Sequence, residues 1–414
     1  MRRVTMTAMV AGCVAALVVT AGAGSAVAGS TVAADADDSL PSVRSHPQWL
    51  PAQLGSDATV ILVPGTSDFD PVAAPDIVGG SAPAGADQYG RTVAIGLFDP
   101  YRPKVKIVDY PEAFGFDVGG TTIGLVGQGT YNDSVDDGTA AGLADAKRAW
   151  VAQGRQGTII LNGYSQSVPI AMNIAYLLHQ QYRAGDPDAI PDNNVVVVAG
   201  ADTRFPGTGI ETVFPSVIPG AYTNGPRAES DTGGIKVISY CIRGDVVCGM
   251  ANPLADPLAW AFYLAPGATI HGKFGNQVNQ MPVERTWTTG NTTYVVLDGG
   301  NPWGMWLRKE GIALPPGFDD IVDRLVPVPE PGTASRTASG AEVRTPRQVG
   351  EQLSAALGLD VPVTDPDARA AQDSSRIPQG GTTTHRKPAV PTDPAEVLAR
   401  LGNALSVLVG APTG

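Results

Sequence analysis

Thr158-Ile159-Ile160-Leu161-Asn162-Gly163-Tyr164-Ser165-Gln166-Ser167 is an apolar run that breaks at a glycine and passes into an amphipathic stretch, Val168 to Tyr182. A short Ile/Leu run of this kind fits a strand buried on both faces, and the stretch behind it fits a helix. Ser165 therefore falls on a strand-to-helix turn, the setting of a nucleophile elbow. Such a turn lifts the hydroxyl out of the sheet. The first N–H groups of the following helix have no intrahelical partner and are free to meet a developing oxyanion. A serine that merely caps a helix gives the same five residues, so a catalytic reading also needs a base and an acid elsewhere.

Outward from this segment, similar runs recur at Thr59 to Val63, Val105 to Tyr110, Val195 to Ala199, Ile235 to Tyr240 and Thr293 to Leu297. Helical patterns separate several of them: Ser134 to Gln153, with Ser134 as N-cap, and Gln166 to Ala184, closed by Gly185. Valine- and isoleucine-rich runs alternating with helices predict an α/β fold with a mostly parallel central sheet flanked by helices. The composition changes near residue 328, which divides the chain into an N-terminal approach segment at 29–50, a folded domain at 51–328 and a Pro/Thr/Ala-rich linker at 329–392. A largely disordered C-terminal tail, dispensable for chemistry, is expected from that composition. Two islands interrupt it. Thr345-Pro346-Arg347-Gln348 has the form of a cap, a helix-starting proline and a capping-box glutamine, which predicts a short helix near 346–358. Asp393-Pro394 opens a second, amphipathic helix at 393–410, with Val397, Leu398, Leu401, Leu405 and Leu408 on one face.

Residues 1–28 read as a secretory signal: Arg2 and Arg3, an apolar core from Met6 to Val19, then Ala26-Val27-Ala28, with cleavage before Gly29. Val10-Ala11-Gly12-Cys13 has the form of a lipobox, but it lies early and apolar sequence continues past it. Cleavage removes Arg2 and Arg3, so the formal net charge of −12 becomes −14. An acidic chain offers no electrostatic footprint for nucleic acid or anionic lipid, which points to a neutral or apolar substrate. No run after the signal reaches the ~20 apolar residues of a transmembrane span. Cys241 and Cys248 are then the remaining cysteines, an even pair in an oxidising compartment, which favours one disulfide over free thiols. A metal site at these two is disfavoured, since no second pair or histidine lies in ligand spacing.

The search for a base is short, because the chain has four histidines. His46 belongs to the approach segment and His385 to the tail. His179 lies fourteen residues into the helix after Ser165, ~21 Å along it. His271, expected in a Gly-rich loop, is left as the base. An acid between serine and histidine gives the order Ser, Asp, His. Asp245 meets it, just after the strand from Ile235 and inside the Cys241–Cys248 loop; Asp256 and Asp202 are its rivals. Oxyanion donors are expected from the Gln166 amide and from Thr66, by its amide and hydroxyl, in the turn Pro64-Gly65-Thr66-Ser67-Asp68 that ends the first strand. An apolar wall for an acyl chain is expected from Phe205 to Pro219 and from Met250 to Ile270, with Leu254, Leu258, Trp260, Phe262, Tyr263 and Leu264.

With these residues in hand the chain resembles the hydrolase domain at the C-terminal side of mycobacterial PE and PPE proteins, a cutinase-like branch of the α/β hydrolases. The resemblance rests on the Gly163-Tyr164-Ser165-Gln166-Ser167 elbow, Gly200-Ala201-Asp202-Thr203-Arg204, Tyr240 with Asp245, Asn252-Pro253-Leu254-Ala255-Asp256, His271-Gly272 and Thr292-Thr293-Tyr294, in family order from about 58 to about 325. It implies Ser165, Asp245 and His271 as nucleophile, acid and base, in agreement with the elimination. Two departures stand out: an export signal takes the place of the PE or PPE module, and Cys241 to Cys248 is similar to the cystine loop of true cutinases. The closing elbow position is Ser167 rather than glycine. The expectation is a secreted or envelope-associated serine esterase acting on an acyl ester or glycolipid substrate, with no cofactor and with docking to the cell envelope through the last helix. An acyltransferase moving acyl groups between envelope glycolipids and a non-catalytic lipid-binding protein are the alternatives.

Overall fold

The computed structural model describes residues 47, 49–50, 54, 57–66, 76–78, 97–98, 103–118, 121–216, 218, 220–228, 232–273, 278–336 and 340–357. The signal at 1–28, His46, most of the approach segment, His385 and the helix at 393–410 lie outside the described residues. In chain order the elements are β1 (Thr59–Val63), β2 (Asp76–Val78), β3 (Lys104–Ile107), β4 (Phe114–Val118), β5 (Thr121–Val126), α1 (Tyr131–Ala152), β6 (Ile159–Tyr164), α2 (Ser167–Arg183), β7 (Val195–Gly200), α3 (Ile210–Val213), β8 (Lys236–Ile242), α4 (Pro257–Lys273), β9 (Val283–Thr289), β10 (Thr292–Leu297), α5 (Pro302–Lys309), α6 (Phe318–Leu325) and α7 (Pro346–Leu357).

Among the described residues eight strands form one sheet in the order β2-β3-β1-β6-β7-β8-β10-β9. The six inner strands are mutually parallel, and β2 and β9 close the edges antiparallel. The class is α/β, as the valine and isoleucine runs predicted. These runs are apolar on both faces because both faces are covered. Ile61, Val63, Ile159 and Leu161 face a core shared with α1 and α2, while Val60, Leu62, Ile160 and Tyr164 face one that includes Ile270 of α4 and Met305 of α5. Gly138 and Gly142, one turn apart on α1, let the two helices of the first face approach closely: a methyl group on either would meet Ile170 or Ile174 of α2 within 2.7 Å.

The direction of winding reverses at β1. The chain goes from β1 to β3 on one side, whereas β6, β7 and β8 extend the sheet on the other. In open parallel sheets a reversal of this kind places a crevice at the carboxyl ends of the two neighbouring strands, here β1 and β6. Thr66 follows β1 and Ser165 follows β6, so both lie at its mouth.

Several sequence expectations need correction. Helix α1 starts three residues before Ser134: Thr130 is its N-cap, accepting from the Asp133 amide at 3.0 Å, and Ser134 is buried with Oγ accepting from Ala113 N. His271 is not in a loop but in α4, two residues before that helix ends. The edge strands β2 and β9 and the β4–β5 hairpin had no counterpart in the sequence reading. Past residue 328 the described chain continues to pack. The capping box forms as read, with Thr345 N donating to Gln348 Oε1 at 2.8 Å and Gln348 N to Thr345 Oγ1 at 3.2 Å. Arg347, in the first turn of α7, is 4% exposed and donates to the carbonyls of Glu211 and Phe214 and to Thr223 Oγ1.

Candidate active site

Ser165 has φ of 60°, a left-handed conformation that few non-glycine residues adopt. Local structure enforces it. The Ser165 amide donates to Gly200 O of the neighbouring strand at 3.0 Å, and its carbonyl accepts from Val168 N at 3.0 Å, so the residue bends sharply between β6 and α2. The turn is tight enough that a side chain at Gly163 would come within 2.6 Å of Ser167 O. Ser167, a small closing residue in place of glycine, is fully buried and ties the turn together: its Oγ accepts from Tyr164 N at 2.7 Å and donates to Tyr164 O at 2.9 Å. Strain of this kind costs ~1–3 kcal/mol and persists where the surroundings over-determine it.

The hydroxyl so presented meets His271. Ser165 Oγ is 2.9 Å from Nε2, and Nδ1 of the same ring is 3.0 Å and 3.1 Å from the two carboxylate oxygens of Asp245. Asp245 is fully buried and also accepts from Val247 N at 2.7 Å. Its loop is held at both ends, by the disulfide between Cys241 and Cys248 and by the Gly249 amide on the Asp245 carbonyl. The three residues selected by chain order and elimination thus form one continuous hydrogen-bonded line.

The chain matches no protein-family model and no curated protein. The chemistry of the site therefore rests on these side chains and their surroundings.

The rival acids are committed elsewhere. Asp202, fully buried, accepts from Ser239 Oγ at 2.6 Å and pairs with Arg227 at 2.5 Å. Asp256 caps α4 through the Ala259 amide. His179 is likewise engaged away from the site, its Nδ1 2.8 Å from Asp192.

Gln166 and Thr66 come together, but not entirely as expected. The Thr66 hydroxyl donates to Gln166 Oε1, and Gln166 Nε2 donates to Ala113 O at 2.8 Å. The hydroxyl is thereby spent on holding Gln166, leaving the two main-chain amides as the candidate donors. Gln166 is the N-cap of α2, so its amide and the next face outward from the helix start with the positive end of the helix dipole behind them.

Of the apolar residues read as an acyl wall, the structure separates two groups. Ile210, Val213, Phe214, Val246, Val247, Met250 and Ala268 form a cluster with Trp260 and Leu264 packed at its edge, spanning from the residues next to Asp245 to a point three residues before His271. Phe262 and Tyr263 turn away to pack with Trp303, Val326 and Val328, and the Tyr263 hydroxyl donates to Val326 O. Burial first, and the Asp323 charge after it, raise the Tyr263 phenol above its ordinary range, against the lowering effect of the Asn301 hydrogen bond and the Arg243 charge. Phe205, fully buried, stacks edge-on against Trp287 and Tyr294. The sequence reading named Tyr164 as an elbow residue but missed its second role. Its ring stacks on the His271 imidazole at 5.1 Å, and its hydroxyl donates to the His271 carbonyl at 2.9 Å.

Proposed function

We propose that this protein is a secreted serine esterase of the α/β-hydrolase fold that acts on acyl, lipid-type esters. The observation that carries the reading is the Ser165–His271–Asp245 line, with a left-handed serine on a strand-to-helix turn at the crevice between β1 and β6. The resemblance to PE and PPE hydrolase domains supports the choice of esters over amides, which the same triad also serves.

In the proposed reaction His271 Nε2 takes the Ser165 proton as Oγ attacks the ester carbonyl. Asp245 holds the ring by Nδ1 and stabilises the imidazolium. The main-chain amides of Gln166 and Thr66 receive the oxyanion, and His271 then protonates the leaving alcohol. Water, activated by the same histidine, releases the acid from the acyl-enzyme and restores Ser165. No metal or organic cofactor enters this scheme. In this scheme the acyl chain lies along the partly buried Trp260 and Leu264 at the edge of the apolar cluster.

The test is a chain-length series of chromogenic esters, offered to the protein without residues 1–28 and to its Ser165→Ala form. Turnover that depends on Ser165 and changes with acyl length is the expected result. Binding of lipid without Ser165-dependent turnover would support a binding module instead, and a sugar acceptor that captures the acyl group at the expense of free acid would mark a transferase.

The cystine makes a separate prediction. Replacing Cys241 and Cys248 by alanine together removes ~2–3 kcal/mol on the loop-entropy argument. Because the closed loop carries Asp245, kcat is expected to fall ~10-fold or more at a temperature where both proteins are folded. Equal kcat values would show that the Val247 and Gly249 hydrogen bonds alone position the carboxylate.

A further inference from the structure

The base of a serine triad is the member that must move a proton and still return to one place. Here it stands near the end of a helix. Helix α4 carries Pro266 in its interior and reaches its last residue two positions after His271. The His271 carbonyl therefore lies in the last turn of the helix. Tyr164, the residue immediately before the nucleophile, reaches it: its hydroxyl donates to that carbonyl at 2.9 Å. The same side chain lays its ring against the imidazole, with centroids 5.1 Å apart and planes inclined by 27°.

Neighbouring strands make room for this arrangement. Tyr164 of β6, Gly200 of β7 and Tyr240 of β8 stand in register across the sheet. A methyl group at Gly200 would lie 2.8 Å from the Tyr164 ring and 2.3 Å from the Tyr240 hydroxyl. The absent side chain at Gly200 leaves the space in which both tyrosines lie. Tyr164 is itself 4% exposed, so its ring has little freedom to leave.

We propose that Tyr164 is a positioning residue that anchors the His271 imidazole and favours its protonated form during catalysis, an inference that rests on the esterase reading of the site. The hydroxyl fixes the backbone of the histidine while the ring fixes its plane, so Nε2 stays aimed at Ser165. The π face attracts a cation more than a neutral ring, and the imidazole becomes a cation as the serine proton is transferred. The contact is thus stronger in the transition state than in the resting enzyme, which is the requirement for raising kcat rather than lowering KM.

Steady-state kinetics of Tyr164→Phe and Tyr164→Leu on a soluble short-chain ester test this, beside wild type and Ser165→Ala. Loss of the hydroxyl alone in Tyr164→Phe is expected to lower kcat ~3- to 10-fold. Loss of both contacts in Tyr164→Leu is expected to lower it ~30- to 100-fold, with KM within about twofold of wild type. In parallel, proton NMR of the His271 ring, assigned against His271→Ala, should show an upfield ring-current shift that survives in the phenylalanine form and disappears in the leucine form. A leucine variant that melts like wild type and keeps kcat within about twofold, or that changes KM alone, overturns the proposal. If the leucine form does not fold, phenylalanine decides it, and a kcat equal to wild type there overturns the anchor. A ring-current shift in a wild-type protein that shows no Ser165-dependent turnover would instead defeat the esterase reading and leave the contact between the two rings standing.

Discussion

Ser165→Ala is expected to lower ester hydrolysis by ~10³-fold or more while leaving the fold intact, and His271→Ala should do the same. The two losses should not add in the double variant, because both residues serve one proton transfer. Backbone conformation supplies a second, independent signature. Ser165 sits at φ of 60°, where glycine is at ease and any side chain is strained. Ser165→Gly should therefore be as inactive as the alanine form yet more stable than it, by ~0.5–1 kcal/mol. A thermal melt of the two variants measures the difference. Equal melting temperatures would mean that the turn is not held as tightly as the Gly200, Val168 and Ser167 hydrogen bonds indicate. Asp245→Asn tests the third member: its carboxylate accepts from both His271 Nδ1 and the Val247 amide, so an amide in its place sets the wrong imidazole tautomer, at a cost of ~10⁴-fold in kcat. Labelling of a serine other than Ser165 by a fluorophosphonate probe would overturn the whole assignment.

Most inner strands were legible because they are buried on both faces and so carry a continuous apolar run, which no surface strand needs; β3, with Lys104 exposed and Lys106 half-buried, alternates instead. Edge strand β9 shows the converse. Its residues are largely exposed or half-exposed, and Val283-Glu284-Arg285-Thr286-Trp287 offers no such run. Helix α4 was hidden for a different reason. From Pro257 to Gly272 it has no charged residue, with Leu258 exposed and Tyr263 and Ile270 buried, so apolar residues surround it and no helical stripe stands out. Pro266 and Gly267 in its middle read locally as a loop. His271 was nevertheless found, because elimination among four histidines does not depend on secondary structure. The Tyr164 contact with His271 could not be read in this way, since it joins residues 107 positions apart through the packing of three strands against one helix end.

The C-terminal boundary is where composition and observed packing diverge most, and it sets the second large effect. Proline, threonine and alanine enrichment after residue 328 predicted a dispensable tail, but composition counts apolar area and cannot see one buried arginine with several acceptors. Arg347 reaches the carbonyls of Glu211 and Phe214 and the Thr223 hydroxyl, and pairs with Glu351 at 2.8 Å. Two further ties flank it: Asn252 Nδ2 donates to the carbonyls of Val343 and Arg344, and Gly332 N donates to Thr208 Oγ1. The Arg347 contacts and the Gly332 bond hold Thr208, Glu211, Phe214 and Thr223, beside which Ile210, Val213 and Phe214 pack on Val246 and Val247 next to the Asp245 carboxylate. A chain ending at residue 335 is therefore expected to lose ~2–3 kcal/mol and ~5–10 °C of melting temperature, and to lose turnover with it near the lowered transition. A chain ending at residue 358 keeps Arg347 and should match the full-length protein in both. Gly225→Ala gives a third arm without truncation: at φ of 70° its methyl group would fall 2.6 Å from the Arg347 guanidinium, so it should reproduce much of the loss. Equal stability of the chains ending at 335 and 358 would show that α7 rests on the domain without supporting it, and the boundary read from composition would then stand.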